Sequence, residues 1–362
     1  MNNSTIASIR LNTQHISETT YNNIKDLVAW MGAMQAQDYG SSKWAIGARL
    51  PATTELQIEE ALNKGEIIRT HVLRPTWHLV SAEDIYWMQE LTAPHVKKIV
   101  QARFKALELT EAIIKKSQSI IEKALTGGKH LTRDELVAIL NKGKIETDSL
   151  RASHIMVCAE LDNLICSGPE KGKQQTYALQ IERVKKMKSL SREEGLKKLA
   201  HRYFSSHGPA TMQDFVWWSG LPVKDARKGI EMIQSDFVEE KVGAEIFLHP
   251  NSSSEFEKNK GALHLLPAFD EYIISYKDRS ASLPSEHNKK VISNNGIFRP
   301  IVVHNGQVIG MWNREMKKDK VIITASPFKS FDKITKTLIE KASESYGNFL
   351  ESKIEVKYEN VK

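Results

Sequence analysis

The sequence predicts an α+β protein, mainly α-helical, in which three tandem winged-helix (helix-turn-helix) domains precede a small C-terminal β-barrel or curled sheet. Two observations support this prediction. A pattern of a capped helix, a short turn, a second helix and two apolar strands around a polar or basic tip occurs three times. Residues from about 260 to 345 instead contain short strand-like segments, followed by an amphipathic helix that closes the sheet.

The third copy has the clearest helix-turn-helix pattern. In HGPATMQDFVWWSGLPVKDARKGIEMI, Thr211 stands three residues before Asp214, which is the spacing of a capping box at a helix start. Ser219 and Gly220 form the turn, and Pro222 begins the second helix, where its missing N–H costs nothing. The strand-like segment FVEEKVGAEIFLH follows and predicts a wing.

The other two copies follow the same order. In the second copy, Thr132 and Glu135 predict a capping box, and ICSGPEKGKQQTYAL predicts a strand, a basic tip and a returning strand. In the first copy, the helix TTELQIEEALNKGE precedes the strands IIRTHVL and PTWHLV. Three successive matches favour tandem winged helices over the alternative, an unrelated α+β protein in which helix pairs recur by chance.

These patterns also place the boundaries of the predicted units. The order is a first winged helix at 1–90, a helical connector at 91–127, a second winged helix at 128–190, a third at 191–252, and a β-barrel-like domain with a C-terminal helix at 253–362. The segment NSSSEFEKNKG between the last two units predicts a linker. Within the last unit, HNGQ between two β-branched runs predicts a hairpin turn.

The composition is that of a soluble globular protein with a basic balance. Of the 362 residues, 41% are hydrophobic and 26% are charged, and the net charge is +7. A positive balance suits a polyanionic partner, although it is equally compatible with solubility alone. No apolar run of about 18 residues predicts a membrane span, and no leader pattern is evident, so we expect a cytoplasmic protein. Cys158 and Cys166 are expected to be buried thiols.

The most unusual stretch is MQAQDYG, in which Gln35 and Gln37 stand two residues apart among apolar side chains. No nucleotide-binding glycine loop, metal-ligand cluster or Ser/His/Asp pattern is recognisable, so no metal or cofactor is predicted. On a regular helix the two glutamines would point about 200° apart, whereas in an extended segment they share a face. The YGSS that follows indicates a helix end or loop, from which both amides would converge. The alternative is that one glutamine caps a helix while the other is solvated.

Five segments together resemble the winged-helix bacterial DNA glycosylases of the AlkZ/YcaQ type. In chain order they are MQAQDYGSSKWAIGARL, IIRTHVLRPTWHLVSAEDIYWM, HGPATMQDFVWWSGL, LHLLPAFDEYIISYKDRS and GMWNR. The resemblance implies three winged helices and a β-barrel around a DNA channel. It also implies monofunctional hydrolysis of the N-glycosidic bond of N7-alkylated purines in double-stranded DNA and, in some members, unhooking of interstrand crosslinks.

The resemblance also implies the catalytic residues. The motif of the family is Gln-x-Gln in the AlkZ branch and Gln-x-Asp in the YcaQ branch, and Gln35-Ala36-Gln37 matches the former. The catalytic role is therefore carried to Gln35 and Gln37. Asp38 stands one position too late for the second form.

Neutral amides suit this chemistry because alkylation at N7 makes the purine cationic, so the base departs neutral and needs no general acid. Amide oxygens aimed at the anomeric carbon and at a water would then supply positioning and electrostatic stabilisation. An unmodified purine departs as an anion and gains little from two amides. The alternative function is a non-enzymatic winged-helix regulator or architectural DNA binder. The chain has no evident dimerisation helix for matched half-sites, so a monomer is expected.

Further residues are candidates for binding DNA or supporting the site. They are Asp38, Tyr39, Arg69, His71, Arg74, Thr76, His78, Lys224, Arg227, Lys228, Asp270 and Arg314. Those at 69–78 line the first wing hairpin on alternating faces and would touch phosphates or the minor groove, unless the wing is simply exposed to solvent. Those at 224–228 would contact phosphates if their helix faced DNA rather than serving as scaffold. For Asp270 and Arg314, the alternative to DNA contact is an internal Asp–Arg pair that braces the barrel.

Overall fold

The computed structural model describes residues 1–251 and 261–360. Most of the predicted linker therefore lies outside the described residues. The chain begins with helix α1 (Asn3–Thr13), which starts at an Asn2 cap and precedes the repeated units. Leu11 of this helix packs into a hydrophobic core of the C-terminal part of the chain.

The first repeated unit has the order helix, strand, helix, helix, strand, strand. Its elements are α2 (Ile24–Met31), β1 (Met34–Gln35), α3 (Tyr39–Gly47), α4 (Glu55–Lys64), β2 (Ile67–His71) and β3 (Trp77–Ser81). The strands form an antiparallel sheet in the order β1-β3-β2. Helix α4 begins with a capping box between Thr54 and Gln57 and ends at Gly65, whose φ of 78° is left-handed.

The second unit repeats this order after a long helix, α5 (Ile85–Ala106). Its elements are α6 (Glu111–Leu125), β4 (His130–Thr132), α7 (Arg133–Lys142), α8 (Ser149–Leu161), β5 (Ile165–Ser167) and β6 (Thr176–Leu179). The sheet order β4-β6-β5 matches that of the first unit. The capping box predicted between Thr132 and Glu135 is present at the start of α7. A short helix, α9 (Gln180–Arg183), follows the sheet.

The third unit has the same order, with its first strand reduced to one antiparallel bridge between Ala210 and Leu248. Its elements are α10 (Arg192–His207), α11 (Met212–Ser219), α12 (Val223–Glu231), β7 (Phe237–Val242) and β8 (Glu245–Pro250). The predicted capping box at the start of α11 is confirmed. Gly220 ends α11 at a φ of 67°, and an added Cβ there would lie 2.4 Å from the carbonyl oxygen of Leu73. This glycine lets the turn of the third unit pack against the β2–β3 hairpin.

The C-terminal part contains a curled sheet that does not close into a barrel. Its elements are β9 (Leu263–Leu266), α13 (Glu271–Ile274), α14 (Asn288–Val291), β10 (Ile301–His304), β11 (Gln307–Met316), β12 (Lys320–Pro327), α15 (Lys333–Phe349) and β13 (Lys353–Tyr358). The strand order is β13-β12-β11-β10-β9, and the two outer strands do not pair with each other. The barrel prediction is corrected to a half-barrel, because α15 packs against both outer strands. The hairpin predicted at HNGQ joins β10 to β11.

Two hydrophobic cores meet in the first unit. One joins Val80 of β3 to Trp218 of α11, in the third unit. The other joins Met34 of β1 to Trp312 of β11, in the C-terminal sheet. Strand β1 therefore runs between the third unit and the half-barrel, and this position places Gln35 where three parts of the chain meet.

Two sequence-based expectations concern the rest of the molecule. Cys158 and Cys166 are buried and unpaired, as predicted. In the described ranges, no helix combines the length and the apolar character that a membrane crossing requires.

Candidate active site

Gln35 and Gln37 lie at the junction between strand β1 and helix α3. The strand continues one hydrogen bond beyond Gln35, because the N–H of Ala36 donates to the carbonyl of Trp77 at 2.7 Å. The junction is therefore extended at Gln35 and Ala36. The prediction that YGSS marks a helix end or loop is wrong, because Tyr39 begins helix α3.

Asp38 fills the cap position of helix α3. The carboxylate of Asp38 accepts the N–H of Ser41 at 2.7 Å, which satisfies one of the free donors at the helix start. The alternative in which a glutamine caps this helix is therefore wrong.

Four hydrogen bonds hold the main chain of Gln35 and Ala36. Glu271 Oε1 accepts the N–H of Gln35 at 2.6 Å. Arg69 donates from Nε and Nη2 to the carbonyl oxygen of Ala36, at 3.0 and 2.9 Å. The fourth is the bond from Ala36 to Trp77, whose ring lies 4.2 Å from the guanidinium carbon of Arg69. The segment that carries the glutamines is thus fixed at both of its peptide units.

The side-chain oxygen of Gln35 is already occupied. Arg74 Nη2 and Thr76 Oγ1 each lie 3.1 Å from Gln35 Oε1 and donate to it. These two donors use both lone pairs of the amide oxygen. The Nε2 group has no hydrogen-bond partner among the described residues, so it is the part of this amide left to meet a substrate. This differs from the expectation that the amide oxygens are aimed at the anomeric carbon and at a water.

Gln37 is in a different environment. Its side chain is exposed, whereas only 5% of the Gln35 surface is accessible. Within the described part of the chain, the Gln37 amide forms no hydrogen bond, so both its oxygen and its NH2 group are free to meet a ligand. The two glutamines therefore offer different chemistry, a held NH2 donor and an unrestrained amide.

Two groups of opposite charge flank Gln35. Burial lowers the pKa of the Arg74 guanidinium, an effect that the nearby carboxylate of Glu271 opposes. Burial alone would raise the pKa of Glu271, but hydrogen bonds, with His207 as the first contributor, bring it to about 2. Glu271 is therefore an anion in the protein interior. It accepts a hydrogen bond from the main chain of Gln35, while the Arg74 cation donates one to the Gln35 side chain.

The first wing hairpin packs inward and is not a solvent-exposed wing. All five residues of β2 are buried, because the second unit covers the strand. The hydroxyl oxygen of Ser167 in β5 accepts the main-chain N–H of Arg69 at 3.0 Å. His71 pairs with the fully buried Glu160. His78 is fully buried, and burial, reinforced by Arg74, lowers its pKa to about 3, so the imidazole is neutral. These histidines support the site from inside.

Tyr39 and Arg314 lie beside the first turn of α3. Burial raises the pKa of the half-buried Tyr39 phenol, so the phenol stays protonated. Arg314 of β11 bonds the hydroxyl of Tyr346, and its Nη2 would lie 2.7 Å from a Cβ added at Gly40. The half-barrel therefore brings a guanidinium to the helix turn that directly follows the glutamines.

Asp270 and Arg314 do not pair with each other. Asp270 is buried and forms a two-bond ion pair with Arg49, with both N–O distances 2.9 Å. The expected internal Asp–Arg brace therefore exists, but with Arg49 as the partner. Asp270 is not available for contact with DNA.

The three cations of α12 belong to another surface. Lys224, Arg227 and Lys228 are exposed and line a groove between α10 and α12. Lys228 pairs with Glu193. Among the described residues, none of these three cations forms a hydrogen bond with Gln35 or Gln37.

Sequence reasoning missed Glu271, which stands next to a candidate residue. Its carboxylate reaches a main-chain N–H that is 236 positions away in the sequence. The block AFDEYII gives no signal of this contact, since a buried acid within a strand-to-helix turn is more often a cap. In the described ranges, no group of three or more His, Cys, Asp or Glu side chains is placed to hold a metal ion.

Comparison with known proteins decides the family. A family model described as DNA glycosylase AlkZ-like matches residues 28–349. The chain belongs to the AlkZ-like DNA glycosylase family. An interstrand DNA cross-link repair glycosylase of Streptomyces sahachiroi is 24% identical in an alignment of length 347, which covers 92% of this chain and 92% of that protein. The solved structure of Streptomyces sahachiroi DNA glycosylase AlkZ superposes with a TM-score of 0.82 at 20% identity, over 98% of this chain and 99% of that one.

The AlkZ-like family assignment confirms the resemblance inferred from the sequence. It also makes a DNA glycosylase the class of enzyme to which this chain belongs. The structural match extends over the repeated units and the half-barrel alike, so the two proteins share the whole fold.

Proposed function

We propose that this chain hydrolyses the N-glycosidic bond of N7-alkylated purines in double-stranded DNA, with Gln35 and Gln37 as the catalytic pair. The observation that carries the proposal is the clamped amide of Gln35 beside the exposed amide of Gln37. Neither amide is a general acid or a strong base. An enzyme with such groups works best on a base that already carries a positive charge, because that base leaves neutral.

The occupied oxygen of Gln35 suggests how the pair divides the work. Its Nε2 group donates a hydrogen bond to an oxygen of the DNA backbone next to the lesion and fixes the sugar. The Oε1 of Gln37 accepts a hydrogen from the attacking water, whose oxygen is thereby aimed at the anomeric carbon. The C–O bond to water forms, the C–N bond to the purine breaks with its electron pair going to the base, and the water proton passes to solvent.

We extend the proposal to interstrand crosslinks. The relative from Streptomyces sahachiroi is named for cross-link repair. Gln37 of this chain is exposed at the strand–helix junction, and an open position of this kind accepts a bulky adduct more readily than a closed base pocket. The crosslinked purine is also alkylated and cationic, so the same pair of amides serves both lesions.

We also propose an organisation for the whole chain. The three repeated units act as winged helices at 1–90, 128–190 and 191–252, joined by the connector at 91–127, and the part from 253 to 362 completes the DNA channel. The common sheet order of the first two units, and the same succession of helices and hairpin in the third, support this proposal. Three unequal units on one chain suit a monomer on one duplex, located in the cytoplasm with the chromosomal DNA.

The test is the rate at which 7-methylguanine is released from methylated duplex DNA under single-turnover conditions, with the free base measured by chromatography. The natural chain is expected to release the base, and Gln35→Ala and Gln37→Ala are each expected to slow release about a hundred-fold. Gln101→Ala, an exposed glutamine of α5, is the matched control and should leave the rate unchanged. Natural rates in folded Gln35→Ala and Gln37→Ala proteins would contradict the proposal.

A further inference from the structure

Glu271 connects the third unit to the candidate active site. Its Oε1 accepts the main-chain N–H of Gln35 at 2.6 Å. Its Oε2 accepts the indole N–H of Trp218 at 3.2 Å and the hydroxyl of Ser275, and it lies 3.5 Å from His207 Nε2. One oxygen therefore faces strand β1, which carries Gln35, and the other faces α10 and α11.

A carboxylate in this position is costly for the fold. Glu271 is 1% exposed, and a buried anion loses hydration that hydrogen bonds only partly restore. An apolar side chain of similar size would fill the same space without that cost. The carboxylate is therefore better explained by what it does to Gln35 than by stability.

The contacts of Gln35 show what this effect is. Glu271 holds the main-chain N–H, while Arg74 and Thr76 hold the side-chain oxygen. Together they fix the main-chain N–H and the side-chain oxygen of Gln35, so the N–H bonds of its Nε2 group point in a defined direction. Because displacement of a reacting group by about 1 Å can cost about a hundred-fold in rate, loss of either hold should be visible in the chemical step.

We propose that Glu271 is a positioning residue of the glycosylase reaction, which sets the direction of the Gln35 amide by holding its main chain. The proposal rests on the proposed function of Gln35. It also assigns a role to the packing of the third unit, because Trp218 and His207 orient the carboxylate that orients the glutamine. Docking of α11 against the first unit is then a condition for an assembled site.

The neighbouring acid provides a matched control. Asp270 is equally buried and stands one residue earlier, but its carboxylate bonds Arg49 and not Gln35. Asp270→Asn weakens a buried ion pair and the cap of α13, but it removes no contact with Gln35. A purely structural role for Glu271 predicts the same kinetic behaviour for Glu271→Gln and Asp270→Asn.

The experiment is single-turnover release of 7-methylguanine with Glu271→Gln, a variant of the same shape. A neutral amide has one acceptor oxygen, so it cannot serve both Gln35 and Trp218 as the carboxylate does. We expect a rate about ten- to a hundred-fold below that of the natural chain, with the Kd for methylated duplex unchanged. Asp270→Asn, measured at a temperature where it is folded, should retain the natural rate.

A double variant separates positioning from general weakening of the fold. If Glu271 acts through Gln35, adding Glu271→Gln to Gln35→Ala should cause no further loss of rate. Ser275→Ala removes one donor to the carboxylate and gives a smaller drop, so it provides the test should Glu271→Gln fail to fold. If the natural chain is active and Glu271→Gln releases the base at the natural rate, the inference about Glu271 is wrong while the proposed function stands. If Glu271→Gln does not fold, a natural rate in Ser275→Ala leads to the same conclusion. An inactive natural chain overturns the proposed function as well.

Discussion

Gln35→Glu is expected to slow release of 7-methylguanine about a hundred- to a thousand-fold, whereas Gln37→Glu is expected to stay within about ten-fold of the natural rate. The two changes are chemically identical, and the difference comes from what each amide has left to offer. Gln35 Oε1 is bonded by Arg74 and Thr76, so its useful group is the NH2 donor. Gln35→Glu replaces that donor with an acceptor.

The second glutamine is predicted to tolerate the change because its proposed role is that of an acceptor. Gln37→Glu keeps an oxygen for the attacking water and adds a negative charge near the developing sugar cation. That charge also repels DNA phosphates, so the rates should be compared at saturating enzyme, under single-turnover conditions. An inactive Gln37→Glu beside an active Gln35→Glu would reverse the division of roles proposed above.

Arg49→Met is expected to lower the free energy of unfolding by about 3–5 kcal/mol, because it leaves the Asp270 carboxylate buried without its partner. Arg49 is fully buried and bonds both oxygens of Asp270 at 2.9 Å. Its Nε also donates to the carbonyl of Gln14 at 2.9 Å. This one side chain therefore ties the end of α3 to the start of α13 and to the residue that follows α1.

Urea unfolding followed by circular dichroism measures this effect. The double variant Arg49→Met, Asp270→Leu removes both charges and should recover most of the lost stability. That recovery distinguishes an uncompensated charge from a loss of packing. A loss below about 1 kcal/mol in Arg49→Met alone would show that the pair contributes no more than a surface ion pair does.

The local patterns of the sequence predicted the elements well where short-range chemistry decides them. Capping boxes at Thr132 and Thr211 mark the starts of α7 and α11, and the turn after His304 joins β10 to β11. These features depend on residues within one turn of each other. The catalytic candidates came from the resemblance of Gln35-Ala36-Gln37 to the Gln-x-Gln motif, because local spacing alone left a capping role for one glutamine open.

Long-range contacts were not predictable from the sequence. The first hairpin has the pattern of an exposed wing, yet the second unit covers β2 and turns His71 inward onto Glu160. The partner of Asp270 is Arg49, which no local pattern links to it. The prediction that the C-terminal sheet closes into a barrel was also wrong, because α15 packs against its outer strands. In each case the deciding neighbour lies far away along the chain.

In the proposed mechanism, two uncharged amides suffice because the damage has already made the purine a good leaving group. The most direct measurement is the single-turnover rate of base release from two duplexes of the same sequence, one with 7-methylguanine and one with uncharged hypoxanthine at the same position. We predict release of 7-methylguanine and at least a hundred-fold slower release of hypoxanthine. Equal rates for the two bases would show that the enzyme supplies its own acid, and would contradict the proposed mechanism with two neutral amides.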